Sequence, residues 1–206
     1  MNNLGDTPVN PVTLVDQSFY YIIGFSFLFL FVITCVMIYF VIHYRRSRHP
    51  HPADIRGNFL LESIWIIIPT IIALTMFASG WKAYTGLRTV PRGTLEIEVI
   101  AQSFSWIFLY PNDKETENLL VVPQNRPVKL NLTSDDVIHS LYIPAFRVKA
   151  DAVNGMETYA WFLPEETGEF HFQCTEYCGV GHAEMVGVLK VVPPEEYEKW
   201  LEEDEW

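Results

Sequence analysis

The segment CTEYCGVGHAEM, residues 174–185, places four candidate metal ligands close together in the chain. These are two thiols, one imidazole and one thioether, carried by Cys174, Cys178, His182 and Met185. A disulfide between the cysteines would leave His182 and Met185 without a role, and a tetrahedral zinc site has no use for a thioether. Because thiolate and thioether are soft ligands and imidazole suits copper, the segment predicts a copper site.

A mononuclear blue-copper site requires a second histidine, which must come from another part of the chain. His171 lies in the predicted strand GEFHFQC, on the face opposite to Cys174, and is interpreted as a surface residue. His139 begins an apolar strand beside Asp135 and Asp136, so it is the better candidate. The set then holds one thiolate more than one blue copper ion needs. Two bridging thiolates could instead hold a pair of copper ions, each with one histidine.

Two long apolar segments lie near the start of the chain. Residues 19–42 contain no charged residue, and residues 63–81 contain none either, with aromatic residues near both ends of the second segment. Each segment is long enough to cross a hydrocarbon core of about 30 Å at about 1.5 Å per residue. The sequence therefore predicts transmembrane helices over residues 19–42 and 62–81.

The distribution of arginine predicts how these helices are oriented. The loop between them, residues 43–61, contains four arginines, whereas no basic residue precedes it. The positive-inside rule then places this loop in the cytoplasm. The N-terminal tail, residues 1–18, and a domain formed by residues 82–206 would face the periplasm or the equivalent outer side. The chain is thus expected in the lipid bilayer of an inner or cell membrane.

The segment after the second span has the pattern of short β-strands. In TLEIEVI and VKLNLT, apolar and polar residues alternate, and further short apolar runs are separated by Pro, Asn and Gly turns. Seven or eight short strands at this spacing predict a Greek-key sandwich or barrel. Only the tail PPEEYEKWLEEDEW has a helical pattern. The predicted fold class is a two-helix transmembrane hairpin followed by an all-β domain with a short C-terminal helix.

The charge of the chain limits its partners. The formal net charge is −11, and it lies entirely within residues 82–206, because the charges of residues 1–81 balance. An acidic domain disfavours nucleic acid and attracts basic partners, mainly by raising association rates. The sequence contains no C-x-x-C-H motif, so no c-type haem is expected on this chain.

These features together resemble subunit II of the haem–copper oxidases, that is, cytochrome c oxidase subunit II. The segment CTEYCGVGHAEM fits that family's C-x-E-x-C-x3-H-x2-M pattern at every defined position, and DVIHSLYIPAFRVKADAVNG matches its first-histidine segment. The resemblance covers nearly the whole chain. It implies an outer N-terminus, two spans and a cupredoxin-like domain that carries a binuclear copper centre, known as CuA.

The resemblance also implies which residues bind the two copper ions. They come from the two segments just quoted: His139, Cys174, Glu176 through its backbone carbonyl, Cys178, His182 and Met185. The two cysteines would bridge both ions. His139 and Met185 would then serve one copper, and His182 with the Glu176 carbonyl the other. The Glu176 carboxylate would face a magnesium site shared with the catalytic subunit.

By the same resemblance, the chain would be the electron-accepting subunit of a proton-translocating terminal oxidase and not catalytic alone. Electrons would arrive from a basic cytochrome c, attracted by an acidic face that could include Asp135 and Asp136. They would pass to haem in the partner subunit, subunit I, where oxygen is reduced to water. Other oxidase subunits would complete the respiratory complex.

Two further positions carry expectations from the family. The segment AQSFSWIFLY corresponds to an aromatic stretch in which a tryptophan usually receives the electron, and it places Phe104 there, with Trp106 two residues later. Either residue could serve, and core packing is the alternative for both. Glu62 begins the second span, where the family has a glutamate at the cytoplasmic mouth of a proton pathway. A carboxylate at a helix N-terminus is also favourable on structural grounds alone.

Two other functions stay open at this point. The same copper module could serve a nitric oxide reductase, which only the sequence of the partner subunit would distinguish. A membrane-tethered copper chaperone could use C-x3-C with a distant histidine. Such chaperones have a thioredoxin-like βαβ fold, however, and this sequence shows no helical pattern between its predicted strands.

Overall fold

The computed structural model describes residues 10–51, 54 and 56–203. They form two compact units, of which one is Val15–Ala83 and the other comprises the described residues on either side of that segment. Two long helices dominate the first unit, α1 (Pro11–His43) and α2 (Phe59–Arg88). Both are long and apolar enough to cross a membrane, and the two predicted spans lie within them.

Polar side chains join the two helices inside the Val15–Ala83 unit. The hydroxyls of Ser18 and Ser79 lie 2.8 Å apart, and those of Tyr21 and Thr75 lie 2.7 Å apart. Small and hydroxyl-bearing residues allow helices to approach closely in an apolar environment, where such hydrogen bonds favour association. The predicted helical hairpin therefore has specific contacts along its length as well as the required hydrophobicity.

The second unit contains ten β-strands in two five-stranded sheets. The strands are β1 (Leu95–Gln102), β2 (Ser105–Leu109), β3 (Glu115–Glu117), β4 (Leu119–Pro123), β5 (Val128–Ser134), β6 (His139–Ile143), β7 (Val148–Ala152), β8 (Thr158–Phe162), β9 (Gly168–Cys174) and β10 (Val186–Val192). One sheet has the order β3-β2-β1-β5-β8 and the other the order β4-β10-β9-β6-β7. A short helix, α3 (Pro194–Glu202), follows β10, as the sequence predicts. The predicted fold class is confirmed.

The two strands that the sequence did not predict are both edge strands. β3 reads ETE and β7 reads VKADA, and each lies at the edge of its sheet. β3 is three polar residues long, and β7 alternates small alanines with charged residues over only five positions, so neither gives a strong apolar signal. The difference between eight predicted strands and ten observed ones therefore has a physical cause.

The space between the sheets is filled by the alternate residues that the sequence assigns to one face. Ile97 and Val99 of β1 and Leu130 and Leu132 of β5 are fully buried, and the intervening residues are not. At one end of this core, α3 contributes Trp200, whose ring meets Tyr110 edge-on at 5.0 Å between centroids. This packing fixes the sheet of β4, β10, β9, β6 and β7, which carries most of the candidate ligands.

Candidate metal centre

Three of the candidate ligands lie at the ends of three neighbouring strands. His139 is the first residue of β6, Cys174 is the last of β9, and Met185 directly precedes β10. In this sheet β9 lies between β6 and β10. The backbone N–H of Cys174 donates to the carbonyl of Met185 at 3.0 Å, so the β-ladder itself holds these two residues together.

The other two candidate ligands lie on the loop that connects β9 to β10. Its beginning is tied to β6, since Thr175 donates its backbone N–H to the carbonyl of Ser140 at 2.9 Å. Its end is a short 3-10 turn that starts at His182, whose N–H donates to the carbonyl of Gly179. This loop brings Cys178 and His182 back toward the strand ends.

The ligand atoms converge around the sulfur of Cys178. Its Sγ lies 3.9 Å from Sγ of Cys174, 3.6 Å from Nδ1 of His182 and 3.9 Å from Sδ of Met185. Sγ of Cys174 lies 3.2 Å from the backbone oxygen of Glu176. Soft and borderline ligand atoms within 4 Å of one another form a set suited to copper.

His139, at the start of β6, is the fifth candidate ligand. Its ring is fully buried, and Nε2 lies 2.7 Å from Oδ1 of Asp136. Among the residues that the structure describes, Nδ1 of this ring has no hydrogen-bond partner although it is buried. One ligand atom each of His139, Cys174 and Cys178 lie within 4.8 Å of one another. Because an unsatisfied buried nitrogen is costly, its position beside two thiols fits a metal-bound imidazole.

The protonation of two groups bears on metal binding. Burial and, to a smaller extent, the neighbouring Cys174 raise the pKa of the Cys178 thiol to about 11. A metal must therefore displace protons from the site, which makes its affinity depend on pH. Burial also tends to raise the pKa of Asp136, but hydrogen bonds from Ser103, His139 and Val137 hold it well below its usual range.

The two aromatic residues singled out in the sequence occupy different depths. Trp106 is fully buried, and its ring centroid lies 6.1 Å from that of His139. Phe104 is half-buried and covers the ligand loop: a Cβ atom at Gly181 would lie 2.4 Å from its Cδ2, and one at Gly179 would lie 3.1 Å from its Cζ. Phe104 is thus the one of the two that connects the surface with the loop.

The remaining candidate residues lie at exposed positions. His171 is exposed on β9, as its strand parity predicts, and the Glu176 side chain is exposed on the ligand loop. Glu62 is exposed in the first turn of α2, where Asn58 caps the helix by accepting the N–H of Leu61 at 3.1 Å. The structure therefore brings the five candidate side-chain ligands together, whereas these three side chains are exposed to solvent.

Sequence reasoning missed the contact of Asp136 with the ring of His139. It treated Asp136 as part of an acidic face toward a basic partner, whereas its carboxylate is bonded to a candidate ligand. The spacing D-x-x-H was available as a signal, because a carboxylate that accepts the second ring N–H of a ligating histidine is a frequent arrangement.

Comparison with known proteins shows which family the chain resembles. The family model described as cytochrome C oxidase subunit II, periplasmic domain, matches residues 98–192, and the model described as cytochrome C oxidase subunit II, transmembrane domain, matches residues 9–79. The transmembrane match and the two helices of spanning length show that the chain is a membrane protein.

Individual relatives agree with these matches. The chain is 31% identical to the alternative cytochrome c oxidase subunit 2 of Bradyrhizobium diazoefficiens, over 89% of this chain and 76% of that protein. It is 25% identical to a probable cytochrome c oxidase subunit 2 of Rickettsia bellii, over 94% of this chain and 81% of that protein. It spans 64% of the length of two further relatives from Rickettsia.

A solved structure has the same fold as the β-domain. The crystal structure of the periplasmic domain of subunit II of cytochrome oxidase from Bradyrhizobium japonicum is 34% identical, with a TM-score of 0.53. It matches 55% of this chain and 95% of that chain. The ten-stranded domain therefore has a relative whose structure was determined without membrane helices.

Proposed function

Because this chain belongs to the cytochrome c oxidase subunit II family, we propose that it is the electron-accepting subunit of a haem–copper oxidase. In this role it accepts electrons from a cytochrome c at a binuclear copper centre and passes them to haem in a partner catalytic subunit. The observation that carries the proposal is the buried ring of His139, which offers a ligand atom within 4.8 Å of those of Cys174 and Cys178 and whose Nδ1 has no hydrogen-bond partner among the described residues.

The family resemblance assigns the residues that would hold two copper ions, and the contacts described above are consistent with that assignment. The thiolates of Cys174 and Cys178 would bridge the ions, with His139 and Met185 on one side and His182 with the carbonyl of Glu176 on the other. When bound, such a copper pair supplies one-electron redox chemistry with little change in its ligands. The chain contributes the rigid strand ends, the burial that excludes water and the hydrogen bonds that orient the ligands.

Copper counting together with electron paramagnetic resonance (EPR) tests this proposal. The full chain in detergent is loaded with copper, and the bound copper is counted per chain. Two coppers that share one delocalised unpaired electron support the binuclear centre. A single localised copper, or a site that prefers zinc, would contradict it and would reopen a disulfide or chaperone role for the two cysteines.

The β-sandwich bears on the alternatives. Between its strands the described domain contains two short 3-10 turns and no βαβ unit, which disfavours a thioredoxin-like copper chaperone. A nitric oxide reductase remains a second candidate function for the assembled complex. We favour an oxidase because the curated relatives quoted above are named as oxidase subunits.

We further propose that Phe104 takes the place of the electron-receiving tryptophan. It is half-buried and lies against Gly179 and Gly181 of the ligand loop, whereas Trp106 is fully buried in the core. We expect Phe104→Ala to slow electron transfer from reduced cytochrome c about tenfold or more, equivalent to about 1.4 kcal/mol in activation free energy. Stopped-flow oxidation of cytochrome c by the assembled complex measures this rate.

Trp106→Phe provides the matched control. It keeps an aromatic ring in the core and should leave the rate within about twofold of the unmodified complex, since the indole does not reach the surface. Copper content is measured in both variants, so that loss of metal is not mistaken for slow transfer. If Trp106→Phe slowed electron transfer from cytochrome c and Phe104→Ala did not, Trp106 and not Phe104 would be the electron-receiving residue.

The orientation in the membrane is also a proposal. The arginines of residues 43–61 favour a cytoplasmic loop, and the copper domain then faces the outer side. We expect trypsin to cleave the loop at Arg45, Arg46 or Arg48 in inverted membrane vesicles but not in intact spheroplasts. Cleavage there in spheroplasts would reverse the orientation. The magnesium site at the Glu176 carboxylate and the proton-path role of Glu62 stay predictions.

A further inference from the structure

The carboxylate of Asp136 makes four hydrogen bonds on the turn between β5 and β6. Its Oδ1 lies 2.7 Å from Nε2 of His139 and accepts the backbone N–H of Val137 at 2.7 Å. The hydroxyl of Ser134 donates to the same oxygen at 3.3 Å. Oδ2 accepts the backbone N–H of Ser103 at 2.8 Å. Both oxygens are therefore engaged, and the side chain has a defined position.

The bond to His139 determines which ring nitrogen faces the thiols. An ionised carboxylate can only accept hydrogen bonds, so Nε2 must carry the proton. In a neutral imidazole the other nitrogen, Nδ1, then keeps its lone pair. This is the buried nitrogen that lacks a hydrogen-bond partner among the described residues, and it belongs to the ring that offers a ligand atom within 4.8 Å of those of Cys174 and Cys178. Asp136 thus selects the tautomer that can bind a metal.

The bond to Ser103 connects the same carboxylate to the segment that carries Phe104. Ser103 directly precedes Phe104, whose ring covers Gly181 of the ligand loop. One side chain therefore contacts a candidate copper ligand on one oxygen and the backbone beside the proposed electron-receiving residue on the other. Such a hydrogen-bonded bridge keeps two parts of a site in register.

We propose that Asp136 is a positioning residue of the metal centre, which fixes the tautomer and orientation of His139 and holds the Phe104 segment against the ligand loop. The second part rests on the function proposed above, whereas the first depends only on the contacts of Asp136 with His139.

Asp135 offers a matched comparison. It is the adjacent residue, is exposed, and loses the same charge when it is changed to asparagine. If acidity of this face were the only contribution of Asp136, both Asp→Asn changes would have similar effects. If Asp136 positions His139, only changes at residue 136 will alter the imidazole and the properties of the bound metal.

The test uses the full chain in detergent with Asp136→Ala, Asp136→Asn and Asp135→Asn. In the metal-free state, nitrogen-15 NMR of labelled histidine, recorded at a pH where the imidazole is neutral, reports the tautomer of His139. We expect the Nε2–H form in the unmodified chain and in Asp135→Asn, and a loss of that preference in Asp136→Ala. Asp136→Asn should restore it, since its amide oxygen still accepts the Nε2 proton.

The copper-loaded state provides the second measurement. We expect Asp136→Ala to lower copper affinity about 10- to 100-fold. The reduction potential should rise in both residue-136 variants, because the carboxylate charge that favours the oxidised centre is lost. Should Asp136→Ala be unfolded, the His139 tautomer in Asp136→Leu, which has no hydrogen-bond acceptor, is compared with that in Asp136→Asn.

Two results would overturn the inference: an unchanged His139 tautomer and copper affinity in Asp136→Ala, or an equal shift of potential in Asp135→Asn and Asp136→Asn. Failure of the function proposed above would look different. The unmodified chain would then form no binuclear centre, while the tautomer measurement on the metal-free chain would still test the role of Asp136.

Discussion

Changing Cys178 to serine is expected to abolish the binuclear copper signal and to reduce bound copper to one ion per chain or fewer. The sulfur of Cys178 lies within 4 Å of the ligand atoms of Cys174, His182 and Met185, so it is the common neighbour of the set. A serine hydroxyl has nearly the same shape but is a poor bridging ligand for a soft metal. The expected loss is therefore in metal binding, with little change in the fold.

Cys35→Ser is the matched control for this prediction. It makes the same chemical change within α1, far along the chain from the candidate ligands. Copper per chain and the EPR spectrum are measured for both variants, with circular dichroism to compare their folded content. A retained delocalised signal in Cys178→Ser, or an equal loss of copper in Cys35→Ser, would contradict the assignment of Cys178 as a bridging ligand.

Gly187→Ala is expected to destabilise the β-domain by about 3 kcal/mol and to weaken copper binding with it. A Cβ atom at Gly187 would lie 2.2 Å from Cζ of Phe172 and 2.5 Å from the backbone oxygen of Asn118. Gly187 pairs with Phe172 across β9 and β10, so the aromatic ring covers the glycine directly. The new methyl group would force apart the strands that end at Cys174 and begin beside Met185.

The collision cannot be relieved by rotating one side chain. Asn118 accepts the N–H of Val188 through its backbone oxygen at 3.0 Å, and its side-chain Oδ1 accepts the N–H of Trp106 at 2.9 Å. Moving its carbonyl would therefore disturb two hydrogen bonds. Chemical unfolding of the full chain in detergent, followed by tryptophan fluorescence, measures the change in stability.

Gly80→Ala serves as the comparison for Gly187→Ala. Gly80 lies within α2, and no atom of the described residues would come within 4 Å of a Cβ there. Alanine has a higher helix propensity than glycine, so this change should not destabilise α2. Because Gly80 lies outside the β-domain, the stability of that domain should not change either. Equal stability of the Gly187→Ala and unmodified chains would show that β9 and β10 can separate at little cost.

Much of the fold could be predicted because its signals are local. Strands such as β1 and β5 can be identified from the alternation of apolar and polar residues, because every second residue of a strand points to the same face. The ligand segment 174–185 likewise carries its chemistry in a continuous stretch. The edge strands β3 and β7 give weaker signals, because β3 has no apolar residue and β7 alternates over only five positions with small alanines.

The parts of the site that could not be predicted depend on distances across the chain. Sequence places Phe104 and Trp106 two residues apart but does not show that one covers the ligand loop while the other is enclosed by the core. The same holds for the bond between Asp136 and Ser103, which lie 33 residues apart in the sequence. Such contacts arise only when the two sheets have formed.

The placement of ligands at the ends of β6, β9 and β10 has a consequence for the order of events during biogenesis. His139 begins β6 and Cys174 ends β9, so four strands lie between the first ligand and the cysteine loop, and Met185 follows only just before β10. A nascent chain therefore offers the imidazole of His139 before the cysteine loop and Met185, which face it in the folded sheet, have been made. Metal acquisition of the complete ligand set therefore has to follow translocation and folding of nearly the whole domain. Copper binding is then a late maturation step, which occurs only in chains whose β-sandwich has folded correctly.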